Sequence, residues 1–443
     1  MFDTIYFRNA KSRIFIRSYI KEVKKVQHRR IALLLSIIPG LGQFYNKQWI
    51  KGILFLVLAI SFFVVFGDLL NMGFWGLVTL GTEVPRDNSI FLLAEGIIAL
   101  IVTIFGLAFY YLNLKDAYKN GELRDKNLKP STLKEDYHNL IEQGYPYVIS
   151  GPSFFILTFA VIFPVLFSFA LAFTNYDLYH SPPARLVDWV GLETFSKIFT
   201  VDIWRSTFID VLAWTVVWTL VASTLQIAIG IFMAVLVNQK DLRFKKFYRT
   251  IFVLPWAVPG FVTILVFAGL FNDSFGAINH DILAALGIDP IPWMTDENWT
   301  RVALILMQGW LGFPYIFIVT TGVLQSIPED LYEAATIDGA SIFAKFRHIT
   351  MPMILLAMAP IIITQFTFNF NNFNIIYLFN GGGPAVPGST AGGTDILVSW
   401  IYKLTMQSSQ YALAAALTIL LSIFVMGLAL WQFRRTNSFK EGA

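Results

Sequence analysis

Cysteine is absent and charge is scarce. Without a thiol the chain can hold no disulfide, iron–sulfur cluster or Cys-ligated zinc. Charged residues make up 14% of its 443 positions, where a soluble domain carries roughly 25%. So few charges cannot cover a water-exposed surface of this size. The dipeptide Gly-Lys never occurs, which excludes a G-x-x-x-x-G-K-[ST] phosphate loop. The five histidines (His28, His138, His180, His280, His348) are scattered and form no H-E-x-x-H pair. Glu95 and Asp210 are isolated acids in or beside apolar runs, without a partnered base at matching depth. Gly381-Gly382-Gly383-Pro384 reads as a turn. No catalytic residue, metal or cofactor is expected. What fills the chain is apolar: 56% hydrophobic residues, 42 of them Phe, with a mean hydropathy of +0.61. That composition indicates a polytopic membrane protein.

A hydrocarbon core of about 30 Å takes about 20 apolar residues as helix. Eight segments are long enough, roughly 52–71, 90–112, 154–173, 211–237, 251–271, 302–324, 353–379 and 411–433. The shorter run 31–46 is broken by Pro39-Gly40-Leu41-Gly42 and reads as re-entrant or interfacial. With both termini inside, 27 of the 33 Lys/Arg fall on the inner side. The outer side holds only Arg86, Arg185, Lys197, Arg205, Arg301 and Lys403. The positive-inside rule fits this arrangement and rejects 31–46 as a span. The basic charge is thereby assigned to the cytoplasmic leaflet rather than to nucleic acid. Residues 1–30 carry nine Lys/Arg, with Ile16, Tyr19, Ile20, Val23 and Val26 at helical spacing. They read either as a basic amphipathic helix on anionic lipid or as a solvated tail. A polar connector at 114–150 divides the chain. Residues 1–150 hold the basic N-terminus, the short segment and two extra spans; 151–443 form a six-span core.

The most specific feature lies between two spans. From Ser326 to Pro352 the chain reads as two short helices projecting inward. A capping box of Ser326 and Glu329, with Pro328 in the first turn, is expected to start the first. Gly339 is expected to end it in a left-handed conformation. The second runs from Ser341 to about Ile349. The pattern Glu333, Ala334, Ala335, Gly339, Ile349 and Pro352, with Met351 where Leu is usual, resembles the signature of the permease subunits of binding-protein-dependent ABC importers. The resemblance implies a coupling helix that docks on a separate ATP-binding subunit. It also implies an all-α integral membrane fold of about eight transmembrane helices. Six of these would form the permease core, with both termini cytoplasmic in a bacterial plasma membrane.

Three further stretches narrow the likeness: Leu254-Pro255-Trp256-Ala257-Val258-Pro259, Trp310-Leu311-Gly312-Phe313-Pro314-Tyr315 and Phe368-Asn369-Phe370-Asn371-Asn372-Phe373. They resemble the larger permease of the maltose/maltodextrin type. The enteric members insert a large extracytoplasmic domain after the first core span, whereas residues 174–206 here form a short loop. On a continuous helix, Gln365, Phe368, Asn369 and Asn372 share one face, and Gln308, Leu311, Gly312 and Tyr315 recur at the same spacing in the preceding span. Amides in lipid are costly. By chemistry alone they either bind sugar hydroxyls or join helices. The resemblance implies that Gln308, Leu311, Gly312, Tyr315, Phe368, Asn369 and Asn372 line a sugar site, with Gly312 leaving room for the ligand. Gly260 and Gln308 depart from the residues usual in that family. The partners implied are a second homologous permease, two copies of an ATP-binding subunit and an extracytoplasmic sugar-binding protein. The chain itself is expected not to be an enzyme. Maltodextrin is the first expected cargo, and another oligosaccharide the alternative.

Overall fold

The computed structural model describes residues 27–239 and 242–435. Most of the basic stretch 1–30 therefore lies outside the described residues. The described residues are helical, with two isolated bridges, Thr174 with Trp189 and Ala385 with Gly392, and no strand. The chain divides into two compact units, Met1–Ser168 with His180–Asp188, and Phe169–Tyr179 with Trp189–Ala443.

The first unit opens with α1 (His28–Leu35) and α2 (Leu41–Tyr45), separated at the Pro39-Gly40 break. Eight and five residues rise only about 12 and 8 Å as helix, so neither is long enough to cross a membrane. The long helices α3 (Trp49–Thr79) and α4 (Ser89–Asp125) follow. Asn88 caps α4 by accepting from the amides of Ile90 (3.1 Å) and Phe91 (3.3 Å). Small residues bring the two helices close, as a side chain at Gly96 would meet the Gly73 carbonyl at 2.8 Å. Buried amides fasten the broken segment to α4. Asn113 donates to the Ser36 carbonyl (2.9 Å) and Asn46 to that of Ala117 (3.0 Å). The outward side chains of α3, among them Phe63 and Val64, are exposed and apolar, as on a helix facing lipid. Then come α5 (Leu133–Glu142) and α6 (Tyr145–Leu171); the latter runs past the end of the unit at Ser168.

The second unit contains α7 (Glu193–Thr200), α8 (Asp202–Val237), α9 (Lys245–Ala257), α10 (Gly260–Leu270) and α11 (Glu297–Ser326). It continues with α12 (Glu329–Ile337), α13 (Ile342–Lys345), α14 (Met351–Phe370), α15 (Phe373–Asn380), α16 (Leu397–Met406) and α17 (Tyr411–Arg435). Helices α8 and α11 pack along their length. One core joins Trp214 and Trp218 of α8, Leu304 and Met307 of α11, and Ile375, Ile376 and Phe379 of α15.

The span count differs from the eight expected. Among the described residues six helices are long and apolar enough to cross a membrane. A seventh appears if α9 and α10, bent by 90° at Val258-Pro259, count as one span. The eighth segment is present as α17, but its apolar part, Tyr411–Gly427, is shorter. The expected span 353–379 is also interrupted. It stops at Phe370 and restarts at Phe373. Asn371 turns its side-chain amide back onto the Thr367 carbonyl (3.2 Å), and the Phe373 amide donates to the Asn371 carbonyl (2.8 Å). Those bonds close a tight turn where a helix would have continued.

Candidate functional site

Both interruptions open onto one cavity of about 780 Å³. Its wall is built from the α9–α10 bend (Trp256, Pro259, Gly260, Phe261), from α11, and from the α14–α15 junction. Non-helical backbone at membrane depth is tolerated where it lines such a cavity. The first turn of α10 also brings the positive end of its helix dipole to the wall.

Six of the seven expected residues meet here: Gln308, Leu311, Gly312, Tyr315, Phe368 and Asn372. The seventh, Asn369, does not. It is fully buried against α8, where its side-chain amide donates to Ser223 Oγ (2.9 Å) and its backbone carbonyl accepts from Trp218 Nε1 (3.0 Å). Among the described residues its Oδ1 has no partner.

The amides form a chain across three helices. Asn372 Nδ2 donates to Gln308 Oε1 (3.1 Å), Gln308 Nε2 to Gln226 Oε1 (2.8 Å), and Gln226 Nε2 to Gln365 Oε1 (2.9 Å). Gln226, on α8, is fully buried and joins the other three. The room at Gly312 belongs to Gln226 and not to a ligand: a Cβ there would lie 1.9 Å from Gln226 Oε1. This corrects the expected reason for that glycine. Aromatic faces complete the lining. The rings of Trp256 and Tyr315 stand 5.6 Å apart, and Phe368 and Phe261 are exposed. No charged side chain lines the cavity among the described residues.

The loop 326–352 has the expected bend but a different start. Ser326 is the last residue of α11, and its hydroxyl donates to the Val323 carbonyl (2.8 Å). It therefore cannot cap α12, whose N-cap is Pro328, without a side-chain bond. The capping box expected there is not formed, because α11 runs two residues past the expected end of its apolar span, through Ser326 itself. Gly339 does end α12 at φ +75°. The Ala340 amide donates to the Ala335 carbonyl (2.9 Å) and the Gly339 amide to that of Thr336 (3.0 Å), which is a Schellman arrangement. Ser341 Oγ accepts from the Ala344 amide (3.2 Å) to start α13. Lys345 Nζ donates to Thr336 Oγ1 (2.7 Å), and the hydroxyls of Tyr332 and Thr350 lie 2.9 Å apart, holding the two arms together. Glu333, Ala334 and Gly339 are exposed, Ala335 and Ile349 half-buried, and Pro352 sits in the first turn of α14. At the tip Ile337 and Ile342 are each 87% exposed and Phe343 is 68% exposed.

Residues 226–438 match the family model of the binding-protein-dependent transport system inner membrane component. The chain is similar to the galactooligosaccharides transport system permease protein of Bacillus subtilis, 80% identical over 94% of this chain and 100% of that one. It is 52% identical to the maltodextrin transport system permease protein of Streptococcus pneumoniae, over 92% of this chain and 96% of the relative. A crystal structure of a bacterial ABC transporter involved in the import of alginate shares the fold at a TM-score of 0.56 and 20% identity. It covers 68% of this chain and 97% of that one. The chain belongs to the family of binding-protein-dependent transport system inner membrane components.

It is therefore a multi-pass membrane permease, and the whole cavity just described lies within the matched region. Two elements of the permease escaped sequence reasoning. Gln226 is the lone amide in the apolar run 211–237, and that isolation was the available signal. Trp256 stands in the sequence only as part of a Pro-flanked motif, and its place in the wall depends on the bend at Val258-Pro259.

Proposed function

We propose that this chain is the permease subunit of an ATP-driven importer and that its cavity passes a short neutral oligosaccharide. The observation that carries the reading is the lining itself: amides and aromatic rings, with no charge. Amides both donate to and accept from sugar hydroxyls, and exposed rings suit the C–H faces of a pyranose. A volume near 780 Å³ is in the usual range for small-molecule sites. Gln308, Leu311, Gly312, Tyr315, Phe368 and Asn372 contact the cargo in this account. Asn369 acts from behind, by fixing α14 to α8.

Maltodextrin and galacto-oligosaccharide are the two cargo readings. Relatives about half identical carry the first name. The relative that is 80% identical carries the second, and that observation favours it. The remaining machinery follows the family pattern: a second homologous permease, two copies of an ATP-binding subunit and an extracytoplasmic sugar-binding protein. Residues 151–443 form the permease core and 1–150 an N-terminal extension, with both termini cytoplasmic. The loop of Glu333, Ala334, Ala335, Gly339, Ile349 and Pro352 docks on the ATP-binding subunit through the apolar tip at Ile337, Ile342 and Phe343.

The test is uptake by the reconstituted complex over a ladder of α-glucans and a ladder of galacto-oligosaccharides. Transport of one ladder with ATP hydrolysis stimulated by the same sugars supports the reading and chooses the cargo. Transport of neither, with the complex intact, overturns it. For the docking loop, Gly339→Val is the informative change. Space is open around Gly339, but a side chain at φ +75° costs about 1–2 kcal/mol. The variant should insert and assemble, yet lose uptake because closure of the ATP-binding subunits no longer reaches the spans. Undiminished uptake would remove the loop from the coupling path.

A further inference from the structure

A second cavity, also about 780 Å³, lies in the first unit where α3 begins. Its lining is the chemical opposite of the first. Lys47, Lys51, Arg124 and Lys129 contribute positive charge, together with Asn46, Gln48, Trp49 and Ser131.

Three observations point to an anion with hydroxyl groups. The first is the start of α3. This 31-residue helix has no side-chain cap and no acidic residue in its first turn, and Trp49, Ile50 and Lys51 of that turn line the cavity. An uncapped N-terminus offers free amides and the positive end of the dipole, which together suit a phosphate.

The second is the cation count. Lys51 is buried and already balanced by Asp116 (3.5 Å) and Asp136. Arg124 donates to the Tyr45 carbonyl (2.5 Å) and lies over the Tyr45 ring, and among the described residues it has no acidic partner. Lys47 and Lys129 are exposed, and among the described residues neither has an ion-pair partner. Lys47, Arg124 and Lys129 thus outnumber the one carboxylate left over by the two partners of Lys51, and the balance around the cavity stays positive.

The third is a pair of orphaned acceptors. Asn46 is 1% exposed and Gln48 9% exposed. Each spends its amide nitrogen on a backbone carbonyl, Asn46 on Ala117 (3.0 Å) and Gln48 on Ser131 (2.7 Å). Among the described residues, Asn46 Oδ1 and Gln48 Oε1 are left buried without a donor. A buried unpaired acceptor costs about 1–3 kcal/mol. Both oxygens are closed off as the side chains stand, and hydroxyl groups beside the phosphate would supply the missing donors once those side chains turn toward the cavity that both residues line.

We propose that this cavity binds a phosphorylated polyol, and specifically the glycerophosphate headgroup of an anionic membrane lipid. The phosphate is held by the first-turn amides of α3 with Lys47, Arg124 and Lys129. The free hydroxyls of the headgroup donate to Gln48 and Asn46. Trp49, 65% exposed, and Ile50, 71% exposed, offer the adjoining apolar surface for acyl chains. That surface favours a lipid over a soluble phosphorylated polyol. Basic pockets beside membrane helices are established sites for anionic headgroups.

The experiment uses the full chain with its co-purifying partners, in detergent containing phosphatidylglycerol, phosphatidic acid and phosphatidylcholine in equal amounts. Native mass spectrometry reads the retained lipid. Phosphatidylglycerol should be retained over phosphatidylcholine, and the double variant Lys47→Gln, Lys129→Gln should lower that preference about tenfold or more, as loss of a charged hydrogen bond implies. Gln48→Met should erase the preference for phosphatidylglycerol over phosphatidic acid, which keeps the phosphate but lacks the hydroxyls. A parallel thermal-shift titration with sn-glycerol 3-phosphate separates the sources. A shift there, without lipid retention, would retain the chemistry and overturn the lipid assignment. Equal retention of all three lipids by wild type and the lysine variant, without any shift, would overturn the site. The two lysines are exposed and unpaired, so their replacement tests the proposal even if Gln48→Met fails to fold.

Discussion

Two cavities of equal size, about 780 Å³ each, differ in how their amides are satisfied. In the second unit Asn372, Gln308, Gln226 and Gln365 bond one another in sequence. In the first unit Asn46 and Gln48 leave side-chain carbonyls unpaired among the described residues, beside an excess of cations. Volume therefore does not tell the two ligands apart; the lining does. A self-satisfied amide chain is stable when empty and can exchange partners with a neutral sugar at little net cost, as transport requires. Orphaned acceptors beside an excess of cations instead favour an occupant that stays.

The comparison can be broken most severely at Gly312. Gly312→Val places atoms where Gln226 Oε1 now sits. Overpacking costs about 1–3 kcal/mol, and the displaced amide adds about 1–3 kcal/mol. A clear fall in melting temperature with loss of uptake is expected; an unchanged protein would mean that Gln226 does not occupy that space. Gln226→Leu keeps the volume and removes the polar link. Gln308, 3% exposed, then loses its acceptor, at about 1–3 kcal/mol. Thermal unfolding and uptake together should show both stability and transport reduced, and an effect on neither would end the claim that the chain works as one unit. Asn372→Ala sharpens the account, since this residue ends the chain and is only half-buried. Its loss should cost about 0.5–1.5 kcal/mol of sugar affinity and spare assembly. Wild-type uptake at every sugar concentration would make Asn372 a purely structural residue. The smallest effect belongs to Lys47→Gln with Lys129→Gln, which should leave sugar uptake in a fixed lipid mixture within about twofold; a larger fall would tie the basic cavity to transport itself.

Much of this arrangement was legible in the chain. Long apolar runs set the helices because lipid allows little else, and Gly339 read correctly because few other residues end a helix at positive φ. The lining residues of α11 were legible because that helix is continuous through Pro314. The reading failed where periodicity presumes an unbroken helix. Asn369 and Asn372 were expected on one face, but the turn at Asn371 sends Asn369 toward α8 and Asn372 toward the cavity. Ser326 looked like a cap because hydropathy already falls at Gln325, while α11 itself runs on through Ser326. Gln226 was missed because one amide in an apolar run carries no pattern, and its role exists only through residues 82 and 139 positions away.

The central claim is that an uncharged lining of amides and rings selects a neutral sugar. The most direct test is sugar binding to the purified complex without its extracytoplasmic partner. A neutral oligosaccharide is compared with an oligouronate of the same length. The account predicts saturable binding of the neutral sugar, weakened in Asn372→Ala, and at least about tenfold weaker binding of the acidic one, as an unpaired charge in a low-dielectric cavity demands. Equal binding of the two would contradict it.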